Sequence, residues 1–114
     1  MKFTPVDPPR QFAVGDGSML LKDCARVALE ADEQVTFVTE SGAEYDVARK
    51  SWGYYATPSV NGRLRDHGFK TALVRNVPTG RLYVMLVEHS QLSEFEAYIQ
   101  REAQVVVEWL DDRQ

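Results

Sequence analysis

Apolar and polar positions alternate along most of this chain, and one stretch near the C-terminus has the three-and-four spacing of a helix. Over residues 33–39, Val35, Phe37 and Thr39 alternate with Gln34, Thr36 and Val38, the two-residue period of a pleated strand. Residues 24–29 read as a preceding strand, with Glu30 to Asp32 as the turn between them. Ser41 and Gly42 make a tight connection into a third strand over 44–50, with Tyr45 and Val47 on one face and Asp46, Ala48 and Lys50 on the other. Together these predict a meander.

The clearest hairpin joins Phe69–Asn76 to Arg81–Val87, because Val77, Pro78, Thr79 and Gly80 supply turn chemistry between two β-rich runs. Leu82, Val84 and Leu86 alternate with Tyr83, Met85 and Val87, so both faces of the second strand are apolar, which predicts a central strand. A helix over about 91–104 follows, with Ser90 as its expected N-cap and Leu92, Phe95, Ile99 and Ala103 as its apolar stripe. Val106 and Leu110 would extend the helical stripe, whereas the run Val105, Val106 and Val107 favours a short final strand with Trp109, which is the preferred reading.

Other segments carry breakers. Gly53, Pro58 and Gly62 make 52–62 an ordered loop or irregular strand. Pro5, Pro8 and Pro9 leave residues 1–10 as an extended, flexible arm, followed by a short edge strand at Phe12 and Val14 and a turn at Gly15-Asp16-Gly17-Ser18. No repeat or linker divides the chain. The expected fold is α+β: a single domain over 1–114, with an antiparallel sheet of about five or six strands, flat or curled, and one main helix.

Composition agrees with a folded domain: of 114 residues, 44% are apolar, 11% aromatic and 26% charged. The lone Cys24 excludes an intramolecular disulfide and points to a reducing compartment. No apolar run approaches the roughly 20 residues of a membrane helix, and the N-terminus lacks the features of a secretory signal. A cytoplasmic protein with no membrane partner is the expectation.

Charge is the most informative departure from the average. Residues 49–81 hold seven basic side chains (Arg49, Lys50, Arg63, Arg65, Lys70, Arg75 and Arg81) against one acid, Asp66, a balance of +6 in a chain of net charge −4, which leaves −10 for the rest. Within that segment, Trp52 and Tyr55 offer rings for stacking, with Tyr54 beside them, and Asn61 offers an amide for polar readout. Arg63 and Arg65, if on a strand, point the same way and form a fork for a phosphate or carboxylate, with Gly62 allowing close backbone approach. Lys70 and Arg75 complete the candidate ligand-binding set. The plainer alternatives are that most of the aromatics fill the core, that the arginines pair with acids elsewhere, and that Glu94, Glu96, Glu102, Glu108, Asp111 and Asp112 form a solvated acidic face.

The stretch Ser51-Trp52-Gly53-Tyr54-Tyr55-Ala56-Thr57-Pro58-Ser59-Val60-Asn61-Gly62-Arg63-Leu64, followed by Gly68-Phe69-Lys70-Thr71-Ala72-Leu73-Val74-Arg75-Asn76, resembles short bacterial proteins that carry no assigned activity. The likeness covers residues 24 to 110. It implies a self-contained bacterial domain and transfers no catalytic residue, cofactor or substrate.

No catalytic constellation is readable. His67 and His89 lack a spaced set of metal ligands, no Gly-x-Ser-x-Gly elbow surrounds Ser51, Thr57 or Ser59, and the glycines at 15 and 17 lack the lysine and spacing of a phosphate loop. His67, between Asp66 and Gly68, is expected as a solvated turn residue. The leading expectation is a binding or accessory domain, without catalytic residue, metal or cofactor, for an anionic ring-containing small molecule such as a nucleotide or nucleotide-sugar. Single-stranded nucleic acid is the next candidate, disfavoured by the acidic remainder. A protein partner or self-association is the third, because aromatics and Arg dominate interface centres. An enzyme ranks last.

Overall fold

The prolines of the N-terminal segment favour extended backbone, and here that backbone is paired. A computed structural model describes residues 1–15, 17 and 19–113, leaving Asp16, Ser18 and Gln114 outside the described residues. Strand β1 (Lys2–Val14) runs antiparallel to β2 (Met19–Ala28), with Lys2 opposite Ala28 and Val14 opposite Met19. The register slips between Pro5 and Arg10, where Pro8 and Pro9 have no amide to give the ladder. Residues 1–10, expected as a flexible arm, are thus half of a two-stranded ribbon, and the short edge strand expected at Phe12 and Val14 is its distal end. The expected turn falls partly on Asp16 and Ser18, outside the described residues; Gly15 and Gly17 have φ of 65° and 89°.

The chain forms two compact units, Met1–Gln34 with Ala48–Tyr55, and Val35–Val47 with Ala56–Gln114. Neither is one continuous segment. The strands β3 (Gln34–Val38), β4 (Glu44–Lys50) and β5 (Gly53–Ala56) form a three-stranded sheet in that order. β5 lies in the segment expected as an ordered loop or irregular strand. A four-residue helix, α1 (Arg63–Asp66), follows.

The second unit contains the largest core. Strand β6 (Phe69–Asn76) lies between β7 (Leu82–Glu88) and β8 (Gln104–Trp109), antiparallel to both. The hairpin and the final strand are therefore as expected, but the central strand is β6. Two apolar faces made β7 look central, yet its Leu82 and Val84 stand exposed at an edge, whereas Ala72 and Val74 of β6 have no exposure. The architecture is α+β and mostly antiparallel, as expected, the described residues forming eight strands in three sheets where one sheet of about five or six strands was expected.

Helix α2 (Leu92–Arg101) packs over β8, its Phe95 ring edge-on to Trp109 at 5.8 Å between centroids. Ser90 is not its cap. Residues His89–Gln91 form a 3₁₀ turn and Gln91 takes the N-cap position without a side-chain hydrogen bond. Ala103, expected in the helical stripe, has a φ of 54° and turns the chain into β8. On the other side of the sheet, Leu64, Phe69 and Ala43 form the buried cluster, with Tyr45, Val60 and Leu86 against it. Gly68 is required there. At a φ of 97° it carries no side chain, and a Cβ would meet that of Ala43 at 3.0 Å.

None of the described helices is long and apolar enough to cross a membrane. Truncating Leu64, which is 0% exposed, should cost about 3 kcal/mol of unfolding free energy in a denaturant titration of Leu64→Ala, through lost transfer energy plus a cavity. Val84→Ala, at an exposed position, should stay within about 0.5 kcal/mol. Equal costs for the two would contradict this placement of the core.

Candidate functional site

Two residues on a strand point the same way when separated by one, but on a helical turn they diverge. Arg63 and Arg65 lie on α1, so the expected fork does not form. Burial of Leu64 between them turns both arginines outward. Gly62 makes room for the Ser59 side chain rather than for a ligand. Arg63 is exposed and forms no ion pair among the described residues, its amide donating to Ser59 Oγ at 3.4 Å.

Arg65 and Lys70 converge on an acid that the sequence reading left in solvent. The C-terminal 3₁₀ turn Leu110–Asp112 buries Asp111 to 1% exposure. Lys70 Nζ donates to Asp111 Oδ2 at 3.0 Å, the Thr71 amide donates to Oδ1 at 3.1 Å, and Arg65 Nε lies 3.8 Å from Oδ2. Arg65 Nη2 also reaches Asp112 Oδ1 at 3.8 Å. Burial pushes the Asp111 carboxyl up, but the hydrogen bonds from Lys70 and the Thr71 amide outweigh it and hold the group below the ordinary aspartate value. Lys70 additionally sits over the Trp109 ring, 4.8 Å from its centroid. Two cations facing two carboxylates leave no surplus charge for a ligand.

The remaining basic and polar candidates scatter. Alternation along β6 puts Arg75 on the sheet face opposite Lys70, where it is exposed. Asn61 Nδ2 donates to the Arg113 carbonyl at 3.2 Å, and Arg113 pairs with Glu108. The acidic C-terminal element is thus only partly a solvated face.

Trp52, Tyr54 and Tyr55 belong to the other unit, and all three are exposed rather than buried. Regular alternation would set Trp52 beside Tyr54, but Gly53, with a φ of 151°, breaks it. Trp52 instead stacks on Tyr55, with centroids 5.9 Å apart and planes inclined by 29°. Trp52 remains 70% exposed and Tyr55 46%. Arg49 lies over the Tyr54 ring at 5.3 Å and donates from Nη1 to the Gly53 carbonyl at 3.2 Å, which rigidifies the turn beneath the aromatics. Lys50 is held by Asp32 at 2.5 Å, and that hydrogen bond pushes its ammonium pKa up. The cations nearest the rings are therefore also occupied.

His67 is half-buried rather than solvated. Its Nδ1 stands 3.5 Å from Oδ2 of buried Asp46, whose Oδ1 accepts from the Thr36 hydroxyl at 2.5 Å. Here the carboxylate sits between hydroxyl and imidazole, so the imidazole is not placed to activate the hydroxyl. Asp46 and Asp111 are the buried acids that pattern reading missed, and neither has a local signal. Their partners lie up to 41 positions away. Among the described residues, no group of three or more His, Cys, Asp or Glu side chains is placed to hold a metal.

A carboxylate whose pKa is lowered by folding stabilises the fold fully above its unfolded pKa, near 3.9, and loses that contribution as pH falls through the folded value. Asp111→Asn should cost about 2 kcal/mol near neutral pH and flatten the acid limb of the stability curve below about pH 4. Glu88, held down by hydrogen bonds from Ser41 and Thr39, contributes with the same sign, so the informative quantity is the difference between variant and wild-type denaturation curves. A pH-independent difference would contradict the assignment.

No family model matches this chain, and no curated protein or solved structure matches it, so a functional reading rests on its own residues.

Proposed function

We propose that this chain is a protein-binding domain or structural subunit, with the Trp52–Tyr55 stack and the Arg49–Tyr54 pair as the anchor for an apolar or aromatic side chain of a partner polypeptide. The observation that carries this reading is the exposure of three aromatics on strand β5 and the turn before it, held by Arg49, with Trp52 70% exposed. Rigid Trp, Tyr and Arg side chains lose little conformational freedom on docking and contribute most at interface centres. Large exposed apolar surface recurs elsewhere: Leu82 and Val84 of β7 and Val105 and Val107 of β8 are also open.

The anionic-ligand reading is weaker than the sequence suggested. Of its proposed anion holders, Arg65 and Lys70 face Asp111 and Asp112, Arg75 lies on the opposite sheet face, and Arg63 is exposed and without an ion pair among the described residues. The same loss of free cations weakens the case for single-stranded nucleic acid, whose affinity depends on phosphate contacts.

The test is quantitative capture of partner proteins from native lysate by wild type and by Trp52→Ala and Tyr55→Ala, alongside an indole NMR titration with nucleotides and oligonucleotides. Both variants should keep wild-type stability, because the side chains are exposed, and lose roughly tenfold or more in partner affinity. Unchanged capture by both variants, or a Trp52 indole shift caused by nucleotides, would overturn the proposal in favour of a small-molecule or nucleic-acid ligand.

A further inference from the structure

Residues that face each other across an antiparallel ladder share one side of it. In the β1–β2 ribbon, one side therefore carries Phe3 with Val27, Pro5 with Ala25, Arg10 with Asp23, Phe12 with Leu21, and Val14 with Met19. Four of these five rungs are apolar. The other side is mixed, with Thr4 opposite Arg26, Gln11 opposite Lys22 and Lys2 opposite Ala28, and with one apolar rung, Ala13 opposite an exposed Leu20. On the apolar side, Phe3 is 57% exposed and Leu21 is also exposed, while Phe12, Val14, Met19, Ala25 and Val27 are half-buried. A ribbon of only two strands is marginal in water unless such a face is covered.

We propose that a second copy of this chain covers it, the two ribbons meeting apolar side to apolar side about a twofold axis that runs along the ribbon. The charged rung decides this. Arg10 and Asp23 stand 3.5 Å apart at the middle of the five rungs, with the Arg10 guanidinium 4.7 Å from the Phe12 ring centroid. An axis along the ribbon places β1 of each copy over β2 of the other, so each Arg10 meets Asp23 of the second copy. Phe12 then meets Leu21, and Phe3 meets Val27, in an isologous contact. An axis across the ribbon would place β1 over β1 and set Arg10 against Arg10 inside an apolar surface, which like-charge repulsion and desolvation disfavour.

The contact uses none of the aromatic platform's residues, so the two readings stand independently. With β2 at 10 residues, the face is about 35 Å long and 10 Å wide, small for a stable dimer, and association should depend on concentration.

Sedimentation of the full chain up to about 300 µM tests this, since weak interfaces populate in that range. The average mass should rise from 13.0 kDa toward twice that value. Arg10→Asp and Asp23→Arg each place four like charges at the centre and should each remain monomeric. Mixed in equal amounts, they present opposite charges to one another and should form heterodimers. Leu21→Ser leaves every charge in place and should weaken association roughly tenfold, which keeps the test decisive if a charge variant misfolds. Three results would overturn the proposal: a wild-type chain that stays at 13.0 kDa, a mixture of folded variants that stays monomeric, or a dimer indifferent to these substitutions.

Discussion

Asp111 is the group on which the second unit's arrangement turns. A carboxylate with 1% exposure is tolerable only if its charge is met by donors and cations, because an uncompensated buried charge costs several kcal/mol. Lys70 and the Thr71 amide on β6 and Arg65 on α1 supply those partners. The C-terminal turn is thereby fixed to the central strand and to the short helix that buries Leu64. One ion cluster thus links the end of the chain, the middle of the sheet and the largest core.

That cluster also changes the meaning of the basic segment. A balance of +6 over residues 49–81 looks like an anion site when acids are counted only nearby in sequence. In the folded chain, Arg65 and Lys70 face Asp111 and Asp112, while Lys50 faces Asp32. Arg63 and Arg75 stay exposed but on separate elements, and the larger surfaces presented to solvent are apolar: the Trp52–Tyr55 stack, one side of the β1–β2 ribbon, and the outer positions of β7 and β8. Surfaces of this kind favour association with polypeptide over capture of phosphate.

Local pattern carried much of the fold. The hairpin of β6 and β7, the stripe of Leu92, Phe95 and Ile99 on α2, and the β-branched run of β8 were legible because each follows from periodicity or turn chemistry within about ten residues. Position within a sheet was not legible, since two apolar faces on β7 cannot reveal that one of them lacks a cover. Nor was α1, because four residues are too few to show a helical period. Its absence from the reading created the false fork of Arg63 and Arg65. The aromatic stack was missed because Gly53 breaks the alternation on which side-chain direction was judged. Asp111 reads as part of a solvated acidic face and Asp46 only as a strand position, and long-range pairing alone reveals both as buried.

The most direct check of this account is a carboxyl-carbon NMR titration of Asp111 in the wild-type chain and in Lys70→Met. The midpoint should lie below the ordinary aspartate value of about 3.9 in the wild type and move upward when the ammonium is removed. A midpoint at or above that value, with no response to Lys70→Met, would contradict the ion cluster and return Arg65 and Lys70 to the pool of residues free to bind an anion.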